Sequence, residues 1–108
     1  MPLSPEIQQS LDRLVAEIVR LVQPEEIILF GSAAREDVIE PHDLDLLVVM
    51  PEGSQKVRIM KYLYKKIDDV LMPFDILVTT RPELKKHSKN IGLIYFQILE
   101  EGVQIYAV

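Results

Sequence analysis

Apolar residues recur along the chain in two patterns, one with helical spacing and one typical of β-strands. The helical spacing begins after Ser4-Pro5-Glu6, a favourable helix start, and predicts a helix through about residue 22. It returns over residues 54–71 and again from Pro82 to about residue 101, where a break is expected near residues 88–92. The remaining short runs predict strands at residues 26–30, 43–50, 74–80 and 103–106.

A short helix from Ser32 to about Asp37 completes a predicted element order of α-β-α-β-α-β-α-β. This order is typical of an α/β (α+β) domain in which helices pack against a mixed sheet of about four strands. The run at residues 43–50 is apolar on both faces beyond its acidic start, so we expect it in the centre of the sheet. The length of 108 residues suits a single domain, 1–108.

Composition and charge narrow the classes of protein that the chain can represent. A net charge of -5 at pH 7 and an aromatic content of 6% argue against a bulk nucleic-acid binder, which is usually basic and stacks bases on aromatic rings. The absence of cysteine excludes disulfides, thiolate metal sites and thiol nucleophiles. The sequence has neither a basic leader followed by an apolar run nor 18 uninterrupted apolar residues. We therefore expect no membrane association and a cytoplasmic protein.

The candidate chemistry begins at Gly31-Ser32, directly after the strand predicted at residues 26–30. The backbone amides of such a turn, together with the Ser32 hydroxyl, are able to bind phosphate oxygens at a helix N-terminus. Taken alone, the dipeptide is more often an ordinary glycine turn with a serine cap. Its interest comes from the acidic residues that follow it.

Asp43 and Asp45 stand at the start of the predicted central strand. Because side chains alternate along a strand, the two carboxylates project to the same side. At roughly 4 Å, two such charges repel by about 4 kcal/mol at an effective dielectric of about 20, so the pair needs a cation, a proton or open water. A divalent metal meets that need most simply, although an isolated Asp-x-Asp pair is more often a pair of loop-edge acids.

Asp75 is the one acid in the β-rich run at residues 74–80. In isolation it would be a strand-end cap or an exposed edge residue. Together with the glycine turn and the Asp43/Asp45 pair, it describes a phosphoryl-transfer site with amides for phosphates, two acids for metal and a third acid on a neighbouring strand.

With these residues the chain resembles the minimal nucleotidyltransferases of the DNA polymerase β superfamily. The signature of that family is Gly-Ser, about ten intervening residues, Asp-x-Asp at a strand, and a third acid on a later strand. This sequence has Gly31-Ser32, ten intervening residues, Asp43-Leu44-Asp45 and then Asp75. The surrounding Phe-Gly-Ser-x-Ala-Arg and the closing segment from Ile98 to Tyr106 are also similar, so the resemblance spans nearly residues 26–106.

The resemblance implies a nucleotidyltransferase fold and a role for each residue of the signature. Asp43 and Asp45 would bind Mg²⁺, and Asp75 would complete the metal site and help to activate an attacking hydroxyl group. Gly31 and Ser32 would hold the triphosphate of ATP or another nucleoside triphosphate, with Arg35 as a further nucleotide-binding residue. The reaction implied is transfer of AMP to the hydroxyl, with release of pyrophosphate.

The resemblance also implies a partner, because small members of the family often act as antitoxins beside a helical HEPN-type toxin, some by adenylylating a toxin tyrosine. Two positions depart from the family pattern: Glu36 replaces a common glycine, and His42 replaces a serine or aspartate. An alternative is therefore a non-catalytic module with the same fold that neutralises its partner by binding alone. Small-molecule nucleotidylation is a third alternative, disfavoured because 108 residues leave no second domain for a substrate cleft. A homo-oligomer is also compatible with the sequence.

Overall fold

The computed structural model describes residues 3–38, 40–90 and 94–108. Its α-helices are α1 (Pro5–Val22), α2 (Lys56–Lys66), α3 (Arg81–His87) and α4 (Ile94–Glu101). Its strands are β1 (Glu26–Phe30), β2 (Leu44–Met50), β3 (Phe74–Thr80) and β4 (Val103–Ala107). A single 3-10 turn, Gly31–Ala34, follows β1 directly.

The strands form one mixed sheet in the order β3-β2-β1-β4. β1 runs antiparallel to both of its neighbours, whereas β2 and β3 are parallel. The predicted fold class, helices packed on a mixed four-stranded sheet, is confirmed, and β2 lies inside the sheet as its two apolar faces indicated.

Helices cover both faces of the sheet because alternate residues of an interior strand point to opposite sides. On β2, Leu46 and Val48 belong to a larger core that includes residues of α1 and α2. Leu47 and Val49 belong to a smaller core closed by Leu84 of α3 and by residues of α4. α1 contributes three buried side chains to the larger core: Leu11, Leu14 and Ile18.

The first helix has the predicted bounds, and both of its ends have a local cause. Pro5 occupies the first turn, where a missing N–H is harmless, and Ser4 is the N-cap residue although its side chain makes no capping hydrogen bond. At the other end Gln23 adopts a left-handed conformation and its backbone N–H donates to the Val19 carbonyl. Pro24 follows and prevents a further turn.

The predicted short helix at residues 32–37 was wrong in type and length. The chain forms a single 3-10 turn instead, and Arg35 returns to extended backbone with ψ of 135°. Ala33 and Ala34 are buried, whereas residues 35–37 are charged and exposed. Residues 35–37 therefore bury no apolar side chain that would stabilise a second turn, and so short a helix is not stable without such burial.

The predicted helix at 54–71 was too long, because α2 ends at Lys66. The helical spacing of apolar residues continues to Leu71, but Asp69 has a left-handed φ of 60° and Leu71 is 95% exposed. The predicted break in the last helical region separates α3 from α4, and Ile91 of the predicted apolar stripe lies outside the described residues. β2 begins at Leu44, so Asp43 lies one residue before the strand rather than in it.

None of the helices in the described part of the chain has the length and apolar character needed to cross a bilayer.

Candidate active site

Three aspartates meet where β2 and β3 begin. The parallel register of these strands sets Asp45 opposite Asp75. Asp43 lies one residue before β2, and its carboxylate is close to those of Asp45 and Asp75. The backbone N–H of Leu44 donates to the Pro73 carbonyl over 3.0 Å, which ties the two strand starts together.

The three carboxylates could hold a metal ion. Each offers an oxygen, and these oxygens lie within 4.8 Å of one another. Oxygen ligands bind Mg²⁺ at about 2.0–2.1 Å, so opposite ligands of one ion are separated by about 4 Å and the set is within an ångström of that spacing. Asp43 and Asp45 are half-buried and Asp75 is exposed, which leaves an open side for water or substrate.

Asp45 is the acid whose ionisation is most hindered by its surroundings. Partial burial raises the pKa of Asp45 above its usual value, and the negative charges of Asp43 and Asp75 raise it further. A bound cation would offset both effects, because it supplies the opposite charge next to the three carboxylates. The electrostatics and the ligand geometry thus favour the same occupant.

Gly31 lies directly against the Asp45 carboxylate. A Cβ atom at position 31 would come within 2.3 Å of Asp45 Oδ2, and the glycine adopts a left-handed φ of 70°. Any other residue would therefore strain the backbone and displace the acid. The turn that could bind phosphate is therefore in direct contact with the acids that could bind metal.

Comparisons with known proteins identify the family of the chain and support its fold. A family model described as a nucleotidyltransferase domain matches residues 11–105. The chain belongs to the nucleotidyltransferase domain family. A search of curated proteins finds no significant match.

A crystal structure of a candidate nucleotidyltransferase from Sulfolobus solfataricus, at 1.40 Å resolution, has the same fold with a TM-score of 0.62. The two chains are 22% identical, and the alignment covers 94% of this chain and 83% of that one. Membership of the nucleotidyltransferase family implies a nucleoside triphosphate as substrate, and the Gly31 turn and the three acids are the parts of this chain that suit one.

Two further candidate nucleotide-binding residues, Ser32 and Arg35, lie in the 3-10 turn and at its end. Ser32 is half-buried in the 3-10 turn, next to Gly31. Arg35 is exposed and its guanidinium donates two hydrogen bonds to the carboxylate of Asp37, at 3.1 and 2.8 Å. This pairing raises the pKa of Arg35 and lowers that of Asp37. Two of the five N–H donors of Arg35 are thus engaged by Asp37, and the others remain able to meet a phosphate.

Sequence reasoning missed a cavity of about 150 Å³ that borders the same turn. Besides Gly31 it is lined by Phe30 and by one face of α4. The lining residues of α4 are Ile94, Gln97, Ile98 and Glu101. Their spacing of i, i+3, i+4 and i+7 marks one helix face with both apolar and polar residues. The sequence contains this spacing, but from the sequence alone we interpret it only as an apolar stripe.

Proposed function

We propose that this protein is a Mg²⁺-dependent nucleotidyltransferase that transfers AMP from ATP to a hydroxyl group of a partner protein. The observation that carries the proposal is the convergence of Asp43, Asp45 and Asp75 beside the Gly31 turn. In this assignment Asp43 and Asp45 hold Mg²⁺, Asp75 completes the set, and Gly31, Ser32 and Arg35 bind the triphosphate. Bound Mg²⁺ would neutralise charge on the phosphate oxygens and orient the triphosphate for in-line displacement.

In the proposed reaction the acceptor hydroxyl oxygen attacks the α-phosphorus. A new oxygen–phosphorus bond forms, the bond from the α-phosphorus to its bridging oxygen breaks, and pyrophosphate leaves. The hydroxyl proton passes to Asp75, which is the exposed member of the three acids and so the one that an incoming acceptor can reach. The products are the adenylylated acceptor and pyrophosphate.

The acceptor is proposed to be a protein, most specifically a tyrosine of a HEPN-type toxin that this chain neutralises as an antitoxin. The net charge of -5 disfavours a polynucleotide, and the aromatic content of 6% is low for base stacking. A protein acceptor brings its own surface and can complete the open side of the site. The resemblance to minimal nucleotidyltransferases supports the toxin as that partner.

The test is to incubate the purified pair with ATP and Mg²⁺ and to measure the mass of the partner. We expect one or more added AMP groups with the wild type and none with Asp43→Asn. Glu52→Gln is a matched control, since it removes one charge from an exposed turn beyond the opposite end of β2 and should leave transfer intact.

A second candidate function is a binding module that neutralises its partner without chemistry. It is favoured by the pairing of Arg35 with Asp37, because the Asp37 carboxylate partly neutralises the cation proposed to bind the triphosphate. Neutralisation of the partner with no change in its mass would establish this function and exclude the enzyme.

A further inference from the structure

The cavity beside Gly31 lies on the same face of the sheet as the three acids. The register sets Asp45 between Asp75 on β3 and Phe30 on β1. Residues paired across neighbouring strands point to the same face, so Phe30, Asp45 and Asp75 form a row across the sheet. The cavity is at the Phe30 end of this row, opposite Asp75.

Gly31 is shared by the cavity and by the proposed phosphate site. The glycine contacts Asp45 so closely that it has no room for a side chain, and it also lines the cavity. A triphosphate bound at Gly31-Ser32 would therefore have the cavity on one side and the metal acids on the other. Glu101 of the cavity also attracts the Arg35 guanidinium, although less than Asp37 does, which places the cavity near the proposed nucleotide-binding arginine.

The size and walls of the cavity suit one flat ring system. Its volume of about 150 Å³ is below the 300–1,000 Å³ that are typical for drug-sized ligands. Phe30, Ile94 and Ile98 supply apolar walls, and half of the Ile94 side chain is still exposed and available for a ligand.

The polar groups of the cavity favour a base with an exocyclic amino group. Gln97 and Glu101 lie four residues apart on α4, so both side chains project to the same helix face. A glutamine amide both donates and accepts, and can pair with two atoms of an adenine edge. An ionised carboxylate only accepts, so it would bind an amino group and repel the carbonyl oxygens of uracil.

We propose that this cavity binds the nucleobase of the triphosphate, with Gln97 and Glu101 selecting an amino-bearing base, adenine being the best fit. The proposal rests on the proposed nucleotidyltransferase function and adds to it a base site and the residues that would select the base. The base lies between Phe30 and Ile94, and the ribose and phosphates run past Gly31 towards the acids.

The test compares ATP, UTP and inorganic tripolyphosphate, each with Mg²⁺, by calorimetric titration of the full chain. We expect the wild type to bind ATP at least tenfold more tightly than UTP. Gln97→Leu and Glu101→Gln should each reduce that ratio by about tenfold, the discrimination that one good pair of hydrogen bonds to a base supplies. Tripolyphosphate affinity should be unchanged in Gln97→Leu, since this exposed, uncharged residue is assigned no contact with phosphate.

Glu100→Gln is the matched control, because Glu100 is exposed on the same helix but does not line the cavity. It should leave the ATP-to-UTP ratio as in the wild type. Equal binding of ATP and UTP by the wild type, or a ratio that neither cavity variant changes, would overturn the base site alone if tripolyphosphate still binds. Failure of tripolyphosphate and ATP to bind the wild type would overturn the proposed function, and the base site with it.

Discussion

Asp45 is a residue whose ionisation opposes the stability of the fold. Its pKa is raised by partial burial and by Asp43 and Asp75. A carboxyl group with a raised pKa in the folded state binds its proton more tightly there than in the unfolded chain. Ionisation therefore lowers the free energy of unfolding, and this cost is present at neutral pH and disappears as the pH falls below the pKa of the unfolded chain.

Asp45→Asn is accordingly expected to raise the melting temperature of the metal-free protein at pH 7. The gain should shrink as the pH is lowered through the raised pKa of Asp45 towards its ordinary value, because the wild-type carboxyl becomes protonated in the folded state. Thermal unfolding between pH 3.5 and pH 7 measures both effects. Glu52→Gln removes the same charge from an exposed turn and should give no comparable gain; an equal gain would attribute the effect to net charge instead of to the site.

Two physical reasons favour glycine at position 31. The sequence suggests that a side chain there would obstruct an approaching triphosphate. The structure adds an obstruction inside the protein, since a Cβ would meet Asp45 Oδ2. A loss of nucleotide binding on substitution of Gly31 would therefore include displacement of Asp45, a proposed metal ligand. For this reason the cavity variants on α4 are the cleaner probes of nucleotide binding.

At the scale of elements, α2 protects the exposed edge of β3 next to the acids. β3 lies at the edge of the sheet beside β2, so half of its backbone groups face away from the sheet. The N–H of Ile76 donates to the Tyr64 hydroxyl over 2.7 Å, and the Tyr64 ring stacks on Phe74 at 5.7 Å between centroids. The helix thus fixes the residues on both sides of Asp75.

Tyr64→Phe should destabilise the fold because it leaves the Ile76 N–H without its acceptor. The expected loss is about 1 kcal/mol, which for a chain of this size lowers the melting temperature by roughly 4–8 °C. Tyr62→Phe is the matched control on the same helix, since Tyr62 is 41% exposed and its hydroxyl accepts no comparable backbone bond within the described residues. Thermal unfolding of the two variants tests this prediction. Equal melting temperatures would contradict the stabilising role given to the Tyr64 hydroxyl.

Elements with one clear pattern were predictable, and elements set by tertiary contacts were not. α1 and β3 have the predicted bounds because a proline lies at or next to the start of each and their apolar patterns are clear. α2 was overestimated because periodicity alone does not reveal a left-handed residue such as Asp69. The proximity of Asp43 and Asp45 followed from strand geometry. Placement of Asp75 opposite Asp45 depends on the parallel pairing of β2 with β3, which no local pattern encodes.

The charge of the whole molecule sets how metal and nucleotide should bind. The chain has 17 acidic and 12 basic residues. A triphosphate approaching the three aspartates without a cation would meet like charge, and a cation without the triphosphate would keep much of its hydration. Each should therefore bind weakly alone and more tightly in the presence of the other.

We predict that Mg²⁺ and ATP together raise the melting temperature far more than either does alone. A ligand at about 100 times its dissociation constant stabilises the folded state by about 2.7 kcal/mol, which corresponds to a shift on the order of 10 °C for a small domain. Asp43→Asn combined with Asp45→Asn should abolish the shift, because the remaining carboxylate of Asp75 cannot hold the ion alone. An equal shift in the double variant would show that metal and nucleotide bind elsewhere on the protein, since ligand-linked stabilisation requires an intact site in the folded state.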